Sequence, residues 1–401
     1  MARSAVPSWV RILAVLALPA CAPTVRAPAP ATQAPQEPPP AAVAPAPPVV
    51  VEPLGPGMSA DGRVQVALLL PLSGAQAELG QSMLNAAQLA LFDVSGDRFE
   101  LLPRDTRGTP QGAVAAVRDA IDSGADLILG PLFAAEVSAV KPAVQAANLR
   151  MLAFSSDWNL AGQGTWIMGL VPMEQVRRVA GYARSQGISR LGALLPRSLY
   201  GDAVARALQE SAQQGGTSIV RIERYEPNAP DPSPAVRALA AAGPSAFDGV
   251  MLAEGGERLR LLAPMLPFYD IDPRRVRLLG TGQWDEPSTG REPLLVGGWY
   301  AAPEPAGRVD FEQRYQEFFG RRPHRLATLS YDATALAAVL ARSAGPQPFT
   351  DVALTNPNGF AGADGIFRLL PSGLVERGLA VLEVQPDGPR VVDPAPDTFQ
   401  A

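Results

Sequence analysis

Side chains suited to bond-making chemistry are few in this chain. Its 401 residues include one cysteine, Cys21, and one histidine, His324. A serine or cysteine nucleophile needs a base held beside it, and His324 is the only imidazole. It stands between Pro323 and Arg325 in an arginine-rich stretch that reads as a surface loop. No Gly-x-Ser-x-Gly elbow leads into a helix, and no GxxxxGK[ST] phosphate loop occurs. One thiol and one imidazole cannot build a Cys/His metal cluster. These residues predict a protein that is not an enzyme, with no metal and no cofactor. The other candidates stand at the ends of apolar runs and are mostly polar or aromatic: Ser73 and Gly74, Leu132 and Phe133, Ser155 to Trp158 (with Ser156 and Asp157 between), Tyr200, Glu254, Gln283 and Trp284. Strand ends on one side of a parallel sheet are where small molecules bind. Each residue also has a plainer reading. Ser73 and Gly74 suit an ordinary turn, Trp158 a lobe contact, and Glu254, Gln283 and Trp284 packing. The sequence leaves both open.

Positioning such residues requires alternating strands and helices, and the pattern supplies them. Residues 64–70 (VQVALLL) form a near-continuous apolar run, as expected of a parallel strand buried on both faces. A helix follows, with Leu79, Met83, Ala87 and Leu91 four residues apart. Strands are predicted at 99–102, 127–129 and 150–154, with helices at 110–123 and 134–148. Gly124 is placed to stop the first of these helices. The rhythm restarts with helices at 173–186 and 201–214 and strands at 191–195, 218–225 and 249–253. A helix at 257–266 and strands at 276–279 and 295–299 come next. Helices at 310–319 and 330–341 follow, then two strands within 365–384 joined at Pro371-Ser372-Gly373. Repeated strand–helix–strand units imply parallel α/β sheets with right-handed crossovers. Tyr331 and Asp332 open the last helix, where Asp332 suits the helix dipole.

The N-terminus reads as an address. Arg3 and Arg11 precede and enter an apolar run over 9–18, too short to span a bilayer, which takes about 20 residues. Leu18-Pro19-Ala20-Cys21 resembles the bacterial lipobox, with Pro19 an imperfect second residue. The resemblance implies a signal peptide at 1–20, a lipid on Cys21, and a membrane partner through that lipid. Ala22 favours the outer membrane over retention at the inner one. Residues 21–61 are rich in Pro and Ala and predict a disordered, extended linker. About 38 such residues at ~3.1 Å each reach roughly 100 Å. The formal net charge of −5, with one lysine (Lys141) and no basic cluster, argues against nucleic-acid binding.

From Val64 to about Asp393 the chain resembles the type I periplasmic binding proteins of the leucine/isoleucine/valine-binding branch. The carrying segments are VALLLPLSG (66–74), GADLILGPL (124–132), RMLAFSSDWN (150–159), RLGALLPRSLYGDAVARALQESAQQGG (190–216), LSYDATALAAVLA (329–341) and GADGIFRLLPSG (362–373). The resemblance implies two α/β lobes with three crossovers, near 171–174, 302–307 and 343–365. The domain would cover 62–393, with lobe 1 at 62–171 and 306–343 and lobe 2 at 174–303 and 365–393. Residues 394–401 are expected as a disordered tail. The ligand cleft is expected between the lobes. The family's carboxylate-binding Ser falls at Ala134 and its Thr at Asp157. Its ammonium-binding Glu falls at Gly282, and its stacking aromatic at Tyr200. Ala134 donates nothing, and Asp157 would repel a carboxylate in a closed cleft. A free α-amino acid is therefore not the expected ligand.

The lipoproteins that activate penicillin-binding proteins share this fold, an outer-membrane anchor and a similar Gly130-Pro131-Leu132 segment. That resemblance implies a non-catalytic periplasmic regulator of peptidoglycan synthesis, docking on a penicillin-binding protein or another wall-synthesis enzyme. This chain has only the Pro/Ala linker where their helical-repeat domain stands. The alternative is the substrate-binding lipoprotein of an ABC importer for amino acids or another small solute.

Overall fold

A computed structural model describes residues 63–94, 96, 99–343, 345 and 347–399. Cys21, the signal peptide and the linker lie outside the described residues.

The first lobe is a parallel five-stranded sheet in the order β2-β1-β3-β4-β5. Its strands are β1 (Val64–Leu70), β2 (Phe99–Asp105), β3 (Leu127–Leu129), β4 (Arg150–Ala153) and β5 (Thr165–Ile167). Helices α1 (Ala77–Val94), α2 (Pro110–Asp122) and α3 (Ala134–Ala146) connect them. The period of two in β1 splits its side chains between two cores. Val66, Leu68 and Leu70 meet Met83 and Ala87 of α1, whereas Ala67 and Leu69 meet Val117 of α2 and Val137 of α3. An apolar strand without polar alternation is thereby buried on both faces.

The second lobe carries a seven-stranded sheet in the order β15-β14-β10-β9-β8-β6-β7. Its parallel part comprises β6 (Arg190–Pro196), β7 (Ser218–Tyr225), β8 (Gly249–Leu252), β9 (Arg277–Gly280) and β10 (Trp299–Ala302). Helices α4 (Pro172–Ser185), α5 (Leu199–Gln213), α6 (Ser233–Ala240), α7 (Gly256–Leu262) and α8 (Met265–Phe268) accompany these strands. The chain then returns to lobe 1 through α9 (Pro305–Phe319) and α10 (Ala327–Ser343), with α10 packed along α1. After α11 (Asp351–Leu354) comes a small antiparallel sheet of β11 (Phe360–Gly362), β12 (Gly365–Leu369) and β13 (Val375–Arg377). Strands β14 (Ala380–Glu383) and β15 (Arg390–Asp393) finish the second sheet antiparallel.

Several expectations are corrected. The strand expected at 295–299 runs from Trp299 to Ala302, because Gly297 at φ 83° and a Gly298 N–H to Leu295 O bond of 2.8 Å turn the preceding residues. The single helix expected at 257–266 breaks before Pro264 into α7 and α8. Strands β5, β11 and β15 and helices α6 and α11 are additional to the expected elements. The third passage between lobes lies at Gly378-Leu379, not within 343–365, so residues 365–377 belong to lobe 1. Phe367, Leu369 and Val375 sit in the core of lobe 1 beside Leu152 and Trp166. The Trp166 indole N–H donates to Leu370 O at 2.8 Å, and Ile167 N–H to Gly373 O at 2.9 Å. Residues 394–399 are ordered against the domain rather than a loose tail. Arg178 donates to Pro394 O at 2.9 Å, and the Arg368 guanidinium lies 4.7 Å from the Phe399 ring centre.

Candidate functional site

Between the lobes lies a cavity of about 600 Å³. Lobe 1 contributes the segments after β3 (Leu132, Phe133, Ala134) and after β4 (Phe154 to Trp158), with residues of α10 and its approach. Lobe 2 contributes Leu199 and Tyr200 at the start of α5, Gly282 and Gln283 after β9, and Gln175 of α4. Parallel strands point their carboxyl ends to one side, so segments far apart in sequence converge there.

The walls are mostly apolar, with the aromatic rings of Phe133, Phe154, Trp158 and Tyr200 among them. Local capping holds the polar groups. Ser155 is buried, and its Oγ accepts the Asp157 N–H at 3.0 Å. Asp157 Oδ1 accepts the Asn159 N–H at 3.1 Å and the Asn159 side-chain amide at 3.0 Å, which caps the short turn Trp158–Leu160. Among the described residues its Oδ2 has no hydrogen-bond partner. Ser198 caps α5 through the Gly201 N–H at 3.2 Å and so sets the position of Tyr200. The Tyr200 hydroxyl bonds Thr281 Oγ1 at 2.6 Å, and burial pushes its phenol well above the ordinary tyrosine range. Gln175 Oε1 accepts the Gly282 N–H at 2.9 Å, which fixes the amide and keeps its N–H groups free to donate.

Beside the cavity, charged groups tie the lobes together. Arg325 lines the cavity from lobe 1, 3.0 Å from Asp364 and 3.8 Å from Asp285 of lobe 2. Arg308, at the second passage, also pairs with Asp285. Asp364 is fully buried and accepts the Thr328 hydroxyl at 2.6 Å. Burial works against its charge, yet Arg325 and Arg377 hold its carboxyl below the usual range. Arg377 joins the other two passages. Its Nη2 donates to Met168 O at 2.9 Å, its backbone N–H to Glu174 Oε2 at 3.1 Å, and its Nη1 lies 3.6 Å from Asp332 Oδ2. Asp332, expected in the first turn of its helix, lies further in along α10 and is fully buried, and burial raises its carboxyl against the pull of Arg377. At the first passage, Gly169 lies so near Ser155 O that an added Cβ would stand 2.4 Å from it.

Eight sequence candidates meet at this cavity: Leu132, Phe133, Ser155, Ser156, Asp157, Trp158, Tyr200 and Gln283. The four positions carried from the resemblance, Ala134, Asp157, Tyr200 and Gly282, also line it. Four candidates do not. Ser73 donates its hydroxyl to Asp105 Oδ2 at 2.6 Å, and Gly74 takes the φ of 81° that its turn needs. Glu254 accepts the Tyr225 hydroxyl at 2.6 Å. Trp284 is 1% exposed and packs in the lobe 2 core, its ring against Gly280 and Gly298. The sequence reading missed Gln175, Arg325 and Asp364. Arg325 follows His324 in an arginine-rich stretch whose pattern reads as surface, and Asp364 precedes β12, whose pattern reads as part of lobe 2. Among the described residues, no group of three or more His, Cys, Asp or Glu could hold a metal ion. No helix among them is long and apolar enough to cross a membrane.

Two lobes, three passages and a cavity at the strand ends define a two-lobed binding protein. Residues 63–389 match the family model described as periplasmic binding protein, and the chain belongs to that family. A putative branched-chain amino acid ABC transporter protein from Rhodospirillum rubrum is similar in structure, with TM-score 0.72 and 19% identity, over 82% of this chain and 100% of that one. So is the branched-chain amino acid transporter substrate-binding protein LivJ from Streptococcus pneumoniae in complex with isoleucine, with TM-score 0.60 and 16% identity, over 83% and 100%. A solute-binding protein of an ABC transporter from R. palustris in complex with benzoate has TM-score 0.60 and 15% identity, over 84% and 97%. At these identities the likeness is one of fold. Among curated sequences, the uncharacterized protein RP748 of Rickettsia prowazekii is 23% identical over 229 residues, 55% of this chain and 61% of that protein. The chain thus spans less than two thirds of that relative's length.

Proposed function

We propose that this chain is the solute-binding protein of an ABC importer, which takes a small molecule into the interlobe cavity and closes its lobes around it. The observation that carries this reading is the cavity of about 600 Å³, lined by aromatic and aliphatic side chains from both lobes with a few fixed polar groups. That size and lining suit a small organic ligand. A cleft formed by two lobes joined at three passages suits hinge closure. The protein acts by binding and carries out no reaction. Its place is the periplasmic side of a membrane, held by lipid on Cys21 at the end of the Pro/Ala linker. Calorimetry and thermal-shift screening of the domain against amino acids, amides, amines and aromatic acids test the reading. A stabilising ligand with micromolar affinity is the expected result. A domain that binds none of these classes would refute it.

A second reading, regulation of a penicillin-binding protein from the outer membrane, is favoured by the lipobox-like segment, the long linker and the substituted positions Ala134 and Asp157. It predicts recovery of a wall-synthesis enzyme in pull-downs from envelope extracts and altered synthase activity on adding the domain. Failure of both removes it.

A further inference from the structure

Resting on the solute-binding reading, we propose that the cavity selects a molecule with an apolar body and an amine or amide N–H donor facing Asp157, and that it discriminates against free carboxylates.

The argument starts from the charge at the cavity. Among the described residues, the lining carries one cation, Arg325, and two carboxylates, Asp157 and Asp364. Arg325 is already committed, at 3.0 Å to Asp364 and 3.8 Å to Asp285. Asp285 is shared with Arg308. Arg308, Arg325 and Arg377 are all engaged with the buried carboxylates Asp285, Asp364 and Asp332, whereas Asp157 has no cationic partner among the described residues. A carboxylate entering the cavity would therefore find no free cation and would face Asp157.

The geometry of Asp157 fits a receptor for a donor. Both hydrogen bonds from Asn159 go to Oδ1, which fixes the carboxyl plane and leaves Oδ2 as an open acceptor. A carboxylate held by its cap needs no reorganisation when a ligand arrives. The remaining polar groups suit a neutral carbonyl rather than a charged one. The Ser155 oxygen already accepts a hydrogen bond, so its hydroxyl hydrogen is left to donate. Gln175, its oxygen engaged by Gly282, keeps both amide N–H groups to donate. Phe133, Trp158 and Tyr200 take the apolar body. A ligand with an amide matches both sets, a donor for Asp157 and an acceptor for Ser155. An ammonium matches Asp157 with added charge attraction.

Matched pairs test the proposal: benzylamine, benzamide and benzoate, and isoleucinamide against isoleucine, titrated calorimetrically into the wild-type domain and Asp157→Asn. Asparagine keeps an oxygen for the capping bonds, and thermal unfolding checks that the variant folds. Like charges held near each other in a partly desolvated site disfavour binding by about a hundredfold or more. The wild type should accordingly prefer the amine or amide of each pair by at least about tenfold, and Asp157→Asn should bring each pair to within about threefold. Equal or tighter binding of benzoate and isoleucine to the wild type would overturn the inference and leave the solute-binding reading standing. An unchanged preference in Asp157→Asn would overturn the role of Asp157. Binding of no compound in a screen extended to all classes would overturn the solute-binding reading, and this inference with it.

Discussion

Glu174 offers a direct test of the buried charges at the lobe passages. It lies in the first turn of α4, and its Oε2 accepts the Arg377 backbone N–H at 3.1 Å, so it joins the first passage to the third. Burial lifts its carboxyl from about 4.5 to about 7, against the opposing effects of that hydrogen bond and of Arg177 and Arg377. A raised carboxyl pKa means that the folded state holds the proton more tightly than the unfolded chain. Stability from this group is therefore greatest at acid pH, falls as pH rises from about 4.5 to about 7, and is level above that. The rise from about 4.5 to about 7 corresponds to about 3 kcal/mol, which residual solvent contact trims to about 2 kcal/mol. Glu174→Gln keeps a carbonyl to accept the Arg377 N–H and removes the ionisation. Its stability should equal that of the wild type at pH values near 4 and exceed it by about 2 kcal/mol above neutrality, a rise in Tm of roughly 4 °C. Urea unfolding of both proteins across that range is the assay. A variant that gains nothing at alkaline pH, or loses stability there, would refute the reasoning and show that the ionised carboxylate is what the passage needs.

Other substitutions probe the remaining assignments. Trp284→Ala should destabilise lobe 2 by about 3–5 kcal/mol in denaturant unfolding, as expected for a core aromatic. A small loss there together with a large loss of ligand affinity would return Trp284 to the cleft. Asp285→Asn leaves Arg308 and Arg325 without their shared lobe 2 carboxylate and should cost about 3 kcal/mol. Unchanged unfolding would show that this pairing contributes no more than a surface pair does. Cys21→Ala should move the full-length protein from the detergent phase to the aqueous phase in phase partition of envelope extracts. A variant that stays with the detergent phase would refute lipid attachment at that thiol.

Much of this protein was legible from local pattern. The run VQVALLL reads as a doubly buried strand because no polar alternation interrupts it, and β1 is one. The spacing of Leu79, Met83, Ala87 and Leu91 reads as a helix, and α1 carries it. The aromatic and polar cluster from Ser155 to Trp158 reads as a strand end, which places it at the cavity. Errors arose where tertiary context overrides pattern. Strand β5 is three residues long, too short for a period, and depends on pairing with β4. Trp284 looked like a cleft aromatic because it follows a strand, yet Gly280 and Gly298 make room for its ring in the core.

The sequence by itself determined the class of fold and the strand ends that converge, because hydrophobic periodicity is a local property of the chain. Only the tertiary structure decided which of those ends form the cavity and how its charges balance. Arg325, Asp364 and Asp285 are far apart in sequence, and Arg377 belongs to a hairpin that read as lobe 2 but packs in lobe 1. Whether a guanidinium in the cleft is free for a ligand or already held depends on distances of 3–4 Å between such groups, and no local pattern encodes them.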